Sequence, residues 1–384
     1  MTPDLRAERV RVTVLSAPLE DTVPMSFASL TDRRLCLVEI DAGGITGIGE
    51  SWINYPAWAP RERLATLCDG LTPLLVGQDV SDPSRVHNQL TGRLLRLGRQ
   101  WGAPGPIWQA ISAVDLALWD LRGKQVGRSI AELLGTGSLR DRVPAYASGV
   151  GPTDAAQLSE AALRAGLTAV KTKIGFGEER DRTTLREARS VLGERPALFA
   201  DANQAWDLET AKAMAEVLSD YRVDWLEEPL ASDELDEFEK LAAVTPIPLA
   251  TGENLYGVAT FDRYVDSAAI HLIQPDLTKS GGFSVGVQVA ERARHPPTGV
   301  APHCYGGAVG IAASLQLAAA FPGVRWMELD VRANPLRTDL LTTPLRLESG
   351  ALVVPEGAGL GIELDRTVTS NYQTHVEERT HHDL

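Results

Sequence analysis

The sequence has few cysteines, no long apolar run and a deficit of positive charge. The three cysteines, Cys36, Cys68 and Cys304, lack the spacing of a metal site, and their odd number leaves one unpaired, which is typical of a reducing compartment. No apolar run reaches the length of about 18 residues that a membrane span needs, and the first residues contain no signal-peptide core. We therefore expect a cytoplasmic protein without a membrane partner. The net charge of −14 argues against a nucleic-acid-binding surface.

The chain of 384 residues has 44% apolar residues, which predicts a globular protein of two domains with large cores. Residues 1–125 are predicted to form an α+β domain. Apolar and polar residues alternate in VRVTVL and RLCLVEI, and a glycine-rich turn at 41–44 predicts antiparallel strands. We expect the polar, proline-containing segment 16–30 to be a surface loop. From 61 to 134, apolar residues recur every three or four positions, which predicts helices.

Residues 126–330 repeat a pattern of short apolar segments, each followed by a helical stretch. The first segment is VPAYASG at 143–149, and seven further segments end at Lys173, Asp201, Glu227, Glu253, Asp276, His303 and Glu328. Eight strands with intervening helices predict a (β/α) barrel whose chemistry lies at the carboxyl ends of the strands.

Beyond residue 330 this alternation of strand-like and helical segments ends. The stretch RLESGALVVPEGAGLG at 346–361 is typical of a short hairpin, and we expect 331–384 to pack back on the first domain. The final EERTHHDL, with its histidine pair at 381–382, is interpreted as a frayed polar terminus rather than a metal site.

Two lysines lie two residues apart in the strand segment AVKTKIG. Residues two apart share one face of a strand, so Lys171 and Lys173 are predicted to point into the barrel. Two adjacent ammonium groups should depress each other's pKa, which would make one of them a base near neutral pH.

Three carboxylates recur at a fixed interval of 26 residues: Asp201, Glu227 and Glu253. Only one residue of the pair Glu227–Glu228 can point inward, and the phase favours Glu227. Carboxylate oxygens without thiolate or imidazole neighbours favour Mg²⁺, with Mn²⁺ as the second choice. Asn203 repeats the two-residue spacing after Asp201.

The last strand ends carry a candidate dyad. Asp276 and His303 end adjacent strands, so Asp276 is expected to fix the tautomer of His303 and raise its basicity. Glu328 ends the eighth strand and is predicted to hydrogen-bond substrate. In the first domain, Asn54, Tyr55 and Trp58 offer polar and aromatic groups for the distal part of a hydroxylated substrate.

Six ordered segments resemble motifs of the enolase superfamily, specifically its mandelate racemase subgroup: KTK at 171–173, DAN at 201–203, WLEEP at 225–229, TGEN at 251–254, QPDLTKSGG at 274–282 and APH at 301–303. The resemblance covers nearly the whole chain. It implies a modified (β/α)7β barrel with an N-terminal α+β capping domain, which the C-terminal segment joins. It also implies that the three carboxylates bind Mg²⁺.

The resemblance assigns further roles to these side chains. Lys173 is one acid/base and the His303–Asp276 dyad is the other, on opposite faces of the substrate α-carbon. Lys171 and Glu328 hold the substrate carboxylate and its enediolate, and Asn203 supports the site.

Several overall reactions fit this chemistry. We favour a dehydratase of acid sugars (aldonates or aldarates), with racemisation or epimerisation of a 2-hydroxy acid and cycloisomerisation of an acid-sugar lactone as alternatives. The muconate cycloisomerase subgroup has a lysine where this chain has Asp276, and it is therefore disfavoured. A non-catalytic barrel is the competing interpretation from another class. Members of the family usually assemble, so a homo-oligomer is expected.

Overall fold

The computed structural model describes residues 5–135, 137–293, 298–380 and 383. The strands are β1 Arg9–Pro24, β2 Ser29–Ala42, β3 Ile45–Trp52, β4 Arg142–Val150, β5 Ala169–Lys173, β6 Ala197–Asp201, β7 Trp225–Glu227, β8 Leu249–Thr251, β9 Ile270–Ile273, β10 Gly299–Val300, β11 Met327–Asp330, β12 Leu347–Glu348, β13 Ala351–Val353 and β14 Gln373–Thr380. The helices are α1 Ala59–Ala65, α2 Pro83–Trp101, α3 Pro104–Val126, α4 Ile130–Leu134, α5 Ala155–Arg164, α6 Glu178–Leu192, α7 Leu208–Asp220, α8 Leu235–Ala242, α9 Val258–Asp266, α10 Gly282–Arg292, α11 Ala308–Ala320, α12 Pro335–Thr338 and α13 Arg366–Tyr372. Short π and 3₁₀ turns at Thr66–Leu71 and Thr72–Leu74 follow α1. Among the described residues, no helix is both long and apolar enough to cross a bilayer.

The N-terminal cap consists of an antiparallel sheet with the order β14-β1-β2-β3 and the helices α1–α4. Helix α3 lies close against β3 at two glycines, since a Cβ on Gly47 or Gly49 would lie 2.1 or 2.0 Å from a carbonyl oxygen of α3. The prediction of a surface loop over 16–30 is wrong. Strand β1 continues to Pro24, where Val23 pairs with Leu30, and Met25 N donates to Ala28 O (2.8 Å) to close a tight hairpin. Cross-strand pairing therefore overrides the polar composition.

The second sheet forms the barrel. Its order is β10-β9-β8-β7-β6-β5-β4, and β11 pairs in parallel with β4, as expected for closure. The predicted site residues of the barrel lie at or within three residues of the carboxyl ends of β5 to β11. This arrangement confirms the predicted α/β barrel with an N-terminal cap.

A layer of apolar side chains fills the barrel interior directly below the site. It contains Ala169, Phe199 and Trp225. Each of them lies two residues before a predicted site residue, namely Lys171, Asp201 and Glu227. Because side chains alternate along a strand, the same inward face provides first a dry core layer and then the polar layer above it.

The C-terminal segment contributes to both units. The hairpin β12–β13 adds to the barrel sheet, where β13 pairs antiparallel with β4. Strand β14 pairs with β1 along Arg9–Leu15 and thereby extends the cap sheet. The interpretation of EERT (377–380) as a frayed terminus is wrong, because these residues belong to β14. The histidine pair at 381–382 lies outside the described residues.

Candidate active site

Three carboxylates converge at the carboxyl ends of neighbouring strands. Asp201 ends β6 and pairs in register with Glu227, which ends β7, while Glu253 follows β8 by two residues. One ligand atom from each side chain lies within 4.8 Å of the other two. Glu253 Oε2 is buried without an aligned hydrogen-bond donor, although His303 Nε2 lies 2.9 Å away. These residues form a compact all-oxygen donor set of the kind that Mg²⁺ prefers.

The two lysines of β5 lie beside this triad, as their spacing predicts. The ammonium of Lys173 contacts Asp201 Oδ2 at 2.5 Å and donates to Asn203 Oδ1 at 3.1 Å. The ammonium of Lys171 donates to Glu227 and lies 2.9 Å from Glu328 Oε1. Both side chains are almost fully buried.

The predicted repulsion between the two lysines is present, but the surrounding carboxylates outweigh it. Burial and the charge of Lys171 both lower the pKa of Lys173, while Asp201, Glu253 and Glu227 together raise it above its ordinary value. Burial lowers the pKa of Lys171, while Glu227, Glu328 and other nearby groups together hold it well above the ordinary value. The sequence shows the two like charges side by side, whereas the carboxylates that surround them come from other strands.

The predicted dyad is also brought together. His303 Nδ1 lies 2.7 Å from Asp276 Oδ2, and the other Asp276 oxygen accepts from the backbone and hydroxyl of Thr278 at 2.7 and 2.6 Å. Burial lowers the pKa of His303, but the nearby Glu253 and Glu328 outweigh it and raise that pKa well above the ordinary value. Asp276 therefore fixes the orientation of the ring and leaves Nε2 directed toward the carboxylate cluster.

Glu328, on β11, accepts hydrogen bonds from Ser148 Oγ and from the backbone N–H of Cys304 (2.8 Å). Burial disfavours its ionised form, but the positive charges of Lys171 and His303 outweigh burial and lower the pKa of Glu328 to about 2. Glu328 is thus held as an anion between Lys171 and His303.

The site as a whole has an excess of negative charge. It contains six carboxylates, three lysines and one imidazole. The carboxylates are Asp201, Glu227, Glu228, Glu253, Asp276 and Glu328, and the other groups are Lys171, Lys173, Lys279 and His303. All are buried except Glu253, whose side chain is 12% exposed. Burial raises the pKa of Glu227 to about 7 and holds that of Glu228 well above its ordinary value, which shows how unfavourable the crowded negative charge is. With every carboxylate ionised and the imidazole protonated, negative groups outnumber positive ones by six to four, a difference equal to the charge of one divalent ion. The donor set and the charge balance both fit Mg²⁺.

Three polar residues of the site were missed or left unassigned by sequence reasoning. Gln274 donates from Nε2 to Glu227 Oε2 at 2.6 Å, and its position two residues before Asp276 is a signal that could have revealed it. Glu228 is buried as well as Glu227, because a positive φ of 38° turns its side chain toward Asn254, whose amide nitrogen donates to both of its oxygens. Lys279 donates to Asn254 Oδ1 at 2.8 Å, and this contact completes the network.

The cap residues predicted to bind substrate have different environments. Both ends of the Asn54 side-chain amide are occupied by backbone, since Oδ1 accepts from Arg34 N and Nδ2 donates to Tyr305 O, both at 3.0 Å. Tyr55 packs against Phe27 with ring centroids 5.2 Å apart, and its hydroxyl is buried without a partner. Trp58 precedes α1 and is 69% exposed.

A buried glutamate connects the cap to the barrel. Glu50, on β3, accepts hydrogen bonds from Gly307 N (2.6 Å) and Gly310 N (2.9 Å) at the start of α11. A Cβ on Gly306 would lie 2.4 Å from a Glu50 oxygen, so the glycines provide the space for this carboxylate. The loop that carries His303 is thereby held by a side chain from the other domain.

Two family models match the chain. Residues 8–135 match the N-terminal domain of the mandelate racemase/muconate lactonizing enzymes, and residues 154–368 match the enolase C-terminal domain-like family. A D-galactarolactone cycloisomerase of Agrobacterium fabrum is 33% identical over 96% of this chain and 99% of its own length. An L-talarate/galactarate dehydratase of Salmonella typhimurium is 30% identical over 94% of this chain and 89% of its own length. The solved structure of a racemase from Streptomyces coelicolor A3(2) with bound magnesium has a TM-score of 0.85 at 26% identity, covering 96% of this chain and all of that one.

Proposed function

This chain belongs to the mandelate racemase/muconate lactonizing enzyme family of the enolase superfamily, and we propose that it removes the α-proton of an acid-sugar carboxylate in a Mg²⁺-dependent dehydration. One observation carries the proposal. The Asp201–Glu227–Glu253 triad lies with Lys173 beside Asp201 and with the His303–Asp276 pair beside Glu253. Two proton-transfer groups therefore flank one hard-cation site.

Asp201, Glu227 and Glu253 would hold the ion. When bound, Mg²⁺ supplies positive charge that polarises the substrate carboxylate and offsets the second negative charge of the enediolate. It also supplies the positive charge that this cluster lacks. Mn²⁺ accepts the same oxygen donors and is the alternative ion.

The chain's own residues divide the remaining tasks. Lys173 and His303 Nε2 exchange protons with the substrate α-carbon from opposite faces, and Asp276 orients the imidazole. Lys171, held between Glu227 and Glu328, is placed to donate to a substrate carboxylate oxygen. Asn203, which accepts from Lys173, keeps that ammonium beside the triad.

Dehydration balances within this set of groups. One base takes the α-proton, and the electron pair of the broken C–H bond passes into the carboxylate to give the enediolate. Collapse of the enediolate expels the β-hydroxyl, which leaves as water after His303 protonates it. The resulting enol becomes a 2-keto acid without any external oxidant or reductant.

A second candidate reaction is cycloisomerisation of an acid-sugar lactone. The 33% identity to a D-galactarolactone cycloisomerase favours it, and it needs the same proton removal with a ring oxygen in place of hydroxide as the leaving group. Racemisation or epimerisation of a 2-hydroxy acid, in which the opposite base returns the proton, is the third.

The cap is proposed to select the substrate. The hairpin tip around Met25–Ala28 joins β1 to β2, and the segment 50–58 leads from β3 to α1; both belong to a separate domain, as closing lids do. Tyr55 and Trp58 are the candidates for contact with the distal end, whereas the amide of Asn54 is occupied by backbone and positions the segment. Trp58→Ala should change the ranking of acids in kcat/KM without changing metal affinity. An unchanged ranking would place selection elsewhere.

The decisive experiment is a screen of aldonates, aldarates and their lactones in D₂O with Mg²⁺, scored for deuterium at the α-carbon and for 2-keto product. We expect at least one substrate to show both signals. Matched controls are Lys173→Ala, which should lose them, and Lys240→Ala, an exposed lysine on α8, which should keep them. Stoichiometric metal binding without exchange of any α-proton would favour a non-catalytic barrel.

A homo-oligomer and a cytoplasmic location remain predictions. Light scattering on the purified chain tests the first, and cell fractionation tests the second.

A further inference from the structure

A buried arginine of the cap faces the barrel mouth, and some of its N–H groups have no aligned hydrogen-bond acceptor among the residues that the structure describes. Arg33, on β2, is 1% exposed; its Nε donates to Ala333 O at 3.2 Å, and Nη2 lies 2.7 Å from Asp330 Oδ2. That ion pair is not aligned as a hydrogen bond, and the described residues give neither Nη1 nor Nη2 an aligned acceptor, although the Tyr305 hydroxyl interacts with the guanidinium. Arg337 interacts with the charges of Asp330 and Asp339, so two carboxylates face the two guanidinium groups. Arg33 therefore keeps hydrogen-bond donors that the surrounding chain does not satisfy.

Two tyrosine hydroxyls in the same region are buried without acceptors for their protons. Tyr305 is 3% exposed and follows His303 by two residues, and Tyr55 comes from the cap. In the described part of the chain neither hydroxyl has an aligned acceptor, and the neighbour of the Tyr305 oxygen, Arg33, can only donate. The hairpin tip covers both rings through Val23, Met25 and Leu30. A buried hydroxyl without a partner is unfavourable, so such groups in a catalytic cleft indicate a missing acceptor.

The Tyr305 ring connects this cluster to the proton-transfer groups. Its centroid lies 4.7 Å from Arg33 Cζ, 5.6 Å from Lys173 Nζ and 6.4 Å from the His303 ring centroid. The sum of the first two distances is the upper limit of the separation between the guanidinium carbon and the lysine nitrogen. The guanidinium therefore lies within the length of a short carbon chain from the Lys173 ammonium, which itself contacts Asp201 of the triad.

From this arrangement, we infer that Arg33, Tyr55 and Tyr305 form a subsite for a second carboxylate at the distal end of the substrate, so that the substrate is a dicarboxylic acid sugar. The inference rests on the proposed function and names its substrate class. All three side chains can donate hydrogen bonds to the ligand, and a guanidinium with two tyrosine hydroxyls complements an acceptor-only anion. A hydrogen bond from a guanidinium to a carboxylate is stronger than one to the neutral terminal hydroxyl of an aldonate, so this donor set favours a diacid.

The test compares galactarate with galactonate, which differ in charge at the distal carbon. Affinity is measured by calorimetry with Mg²⁺, and kcat/KM by α-proton exchange in D₂O. The wild-type chain should prefer the diacid. Tyr305→Phe and Tyr55→Phe should each lower kcat/KM for the diacid by about 10-fold or more, because each removes a hydrogen bond to a charged group, and should change the monoacid value little.

Folding does not confound these variants. Among the described residues the two hydroxyls have no aligned acceptor, so their removal should change Tm little. Tyr264→Phe is the matched control, because its hydroxyl donates to Ser232 O and its ring packs against Phe238; it should lower Tm and leave the diacid-to-monoacid ratio unchanged. Arg33→Gln is informative where it folds, and it should abolish the preference.

The outcomes separate the two proposals. Equal affinity and equal turnover for diacid and monoacid, or parallel losses on both substrates in Tyr305→Phe, would overturn the subsite while leaving the α-proton chemistry intact. Preferential binding of galactarate that Tyr305→Phe abolishes, without exchange of any α-proton, would support the subsite and overturn the proposed reaction.

Discussion

Glu50 offers a quantitative test of how the cap is coupled to the barrel. Its carboxylate is fully buried where β3 meets α11. Burial raises the pKa of Glu50 from 4.5 to about 7, with a smaller contribution from the charge of Asp276, while hydrogen bonds from Gly307 and Gly310 act in the opposite direction. The folded chain therefore holds the Glu50 proton more tightly than the unfolded chain does.

The sign follows from proton linkage. Between about pH 4.5 and 7, the folded state binds more protons at this position than the unfolded state, so Glu50 makes the free energy of unfolding fall as the pH rises. A shift of this size corresponds to about 3 kcal/mol, of which about 2 to 3 kcal/mol fall between about pH 5 and pH 8. Above pH 8 the contribution should be constant.

The perturbation is Glu50→Gln, which keeps the shape and removes the titration. Gln offers one acceptor to two N–H donors, so we expect a constant loss of stability on which the pH effect is superimposed. Chemical denaturation followed by circular dichroism, at several pH values, gives the wild-type minus variant difference. Glu216→Gln, at an exposed position on α7, is the control.

The wild-type advantage over Glu50→Gln should shrink by about 2 to 3 kcal/mol from about pH 5 to pH 8, while the control difference stays flat. A difference that is independent of pH, or that grows as the pH rises, would refute the claim that burial dominates the environment of Glu50.

Three further predictions concern the metal, the bases and the backbone. Chelation should abolish turnover and Glu253→Gln should weaken Mg²⁺ binding in calorimetry, whereas full activity in a metal-free preparation would contradict the metal site. Lys173→Ala and His303→Asn should each lower kcat by about 10²–10⁴-fold, and one variant is expected to retain α-proton exchange with one epimer; near-wild-type turnover in both would exclude them as bases. Gly282→Ala should lower Tm more than Gly102→Ala, because φ is similar (71° and 76°) but only the first Cβ would meet a buried carboxylate, at 2.4 Å; equal losses would show that φ strain alone matters.

Strand periodicity accounts for the part of the site that the sequence predicts well. Lys171 and Lys173 share a face because side chains alternate with a period of two, and Asp201 and Glu227 meet in register because parallel strands of similar length end at one rim. The inward phase that selects Glu227 follows from the same rule. The chemical identity of the donors then favours Mg²⁺ without any coordinates. The hairpin at 16–30 was not predicted because its polar composition is typical of a loop. Its strand character comes from the pairing of β1 with β2, which composition does not show.

Only the tertiary structure decided the electrostatics and the contacts between the two units. The lysine pKa values rise because Asp201, Glu227 and Glu328 come from three other strands, and a single segment contains no information about those neighbours. Glu228 is buried beside Glu227 because its φ is positive, which strand alternation cannot predict. Arg33 lies far from the barrel in sequence, and its donors reach the barrel mouth only when β2 is docked over Tyr305. Local sequence determines which face a side chain occupies, whereas long-range packing determines which charges and cavities that face meets.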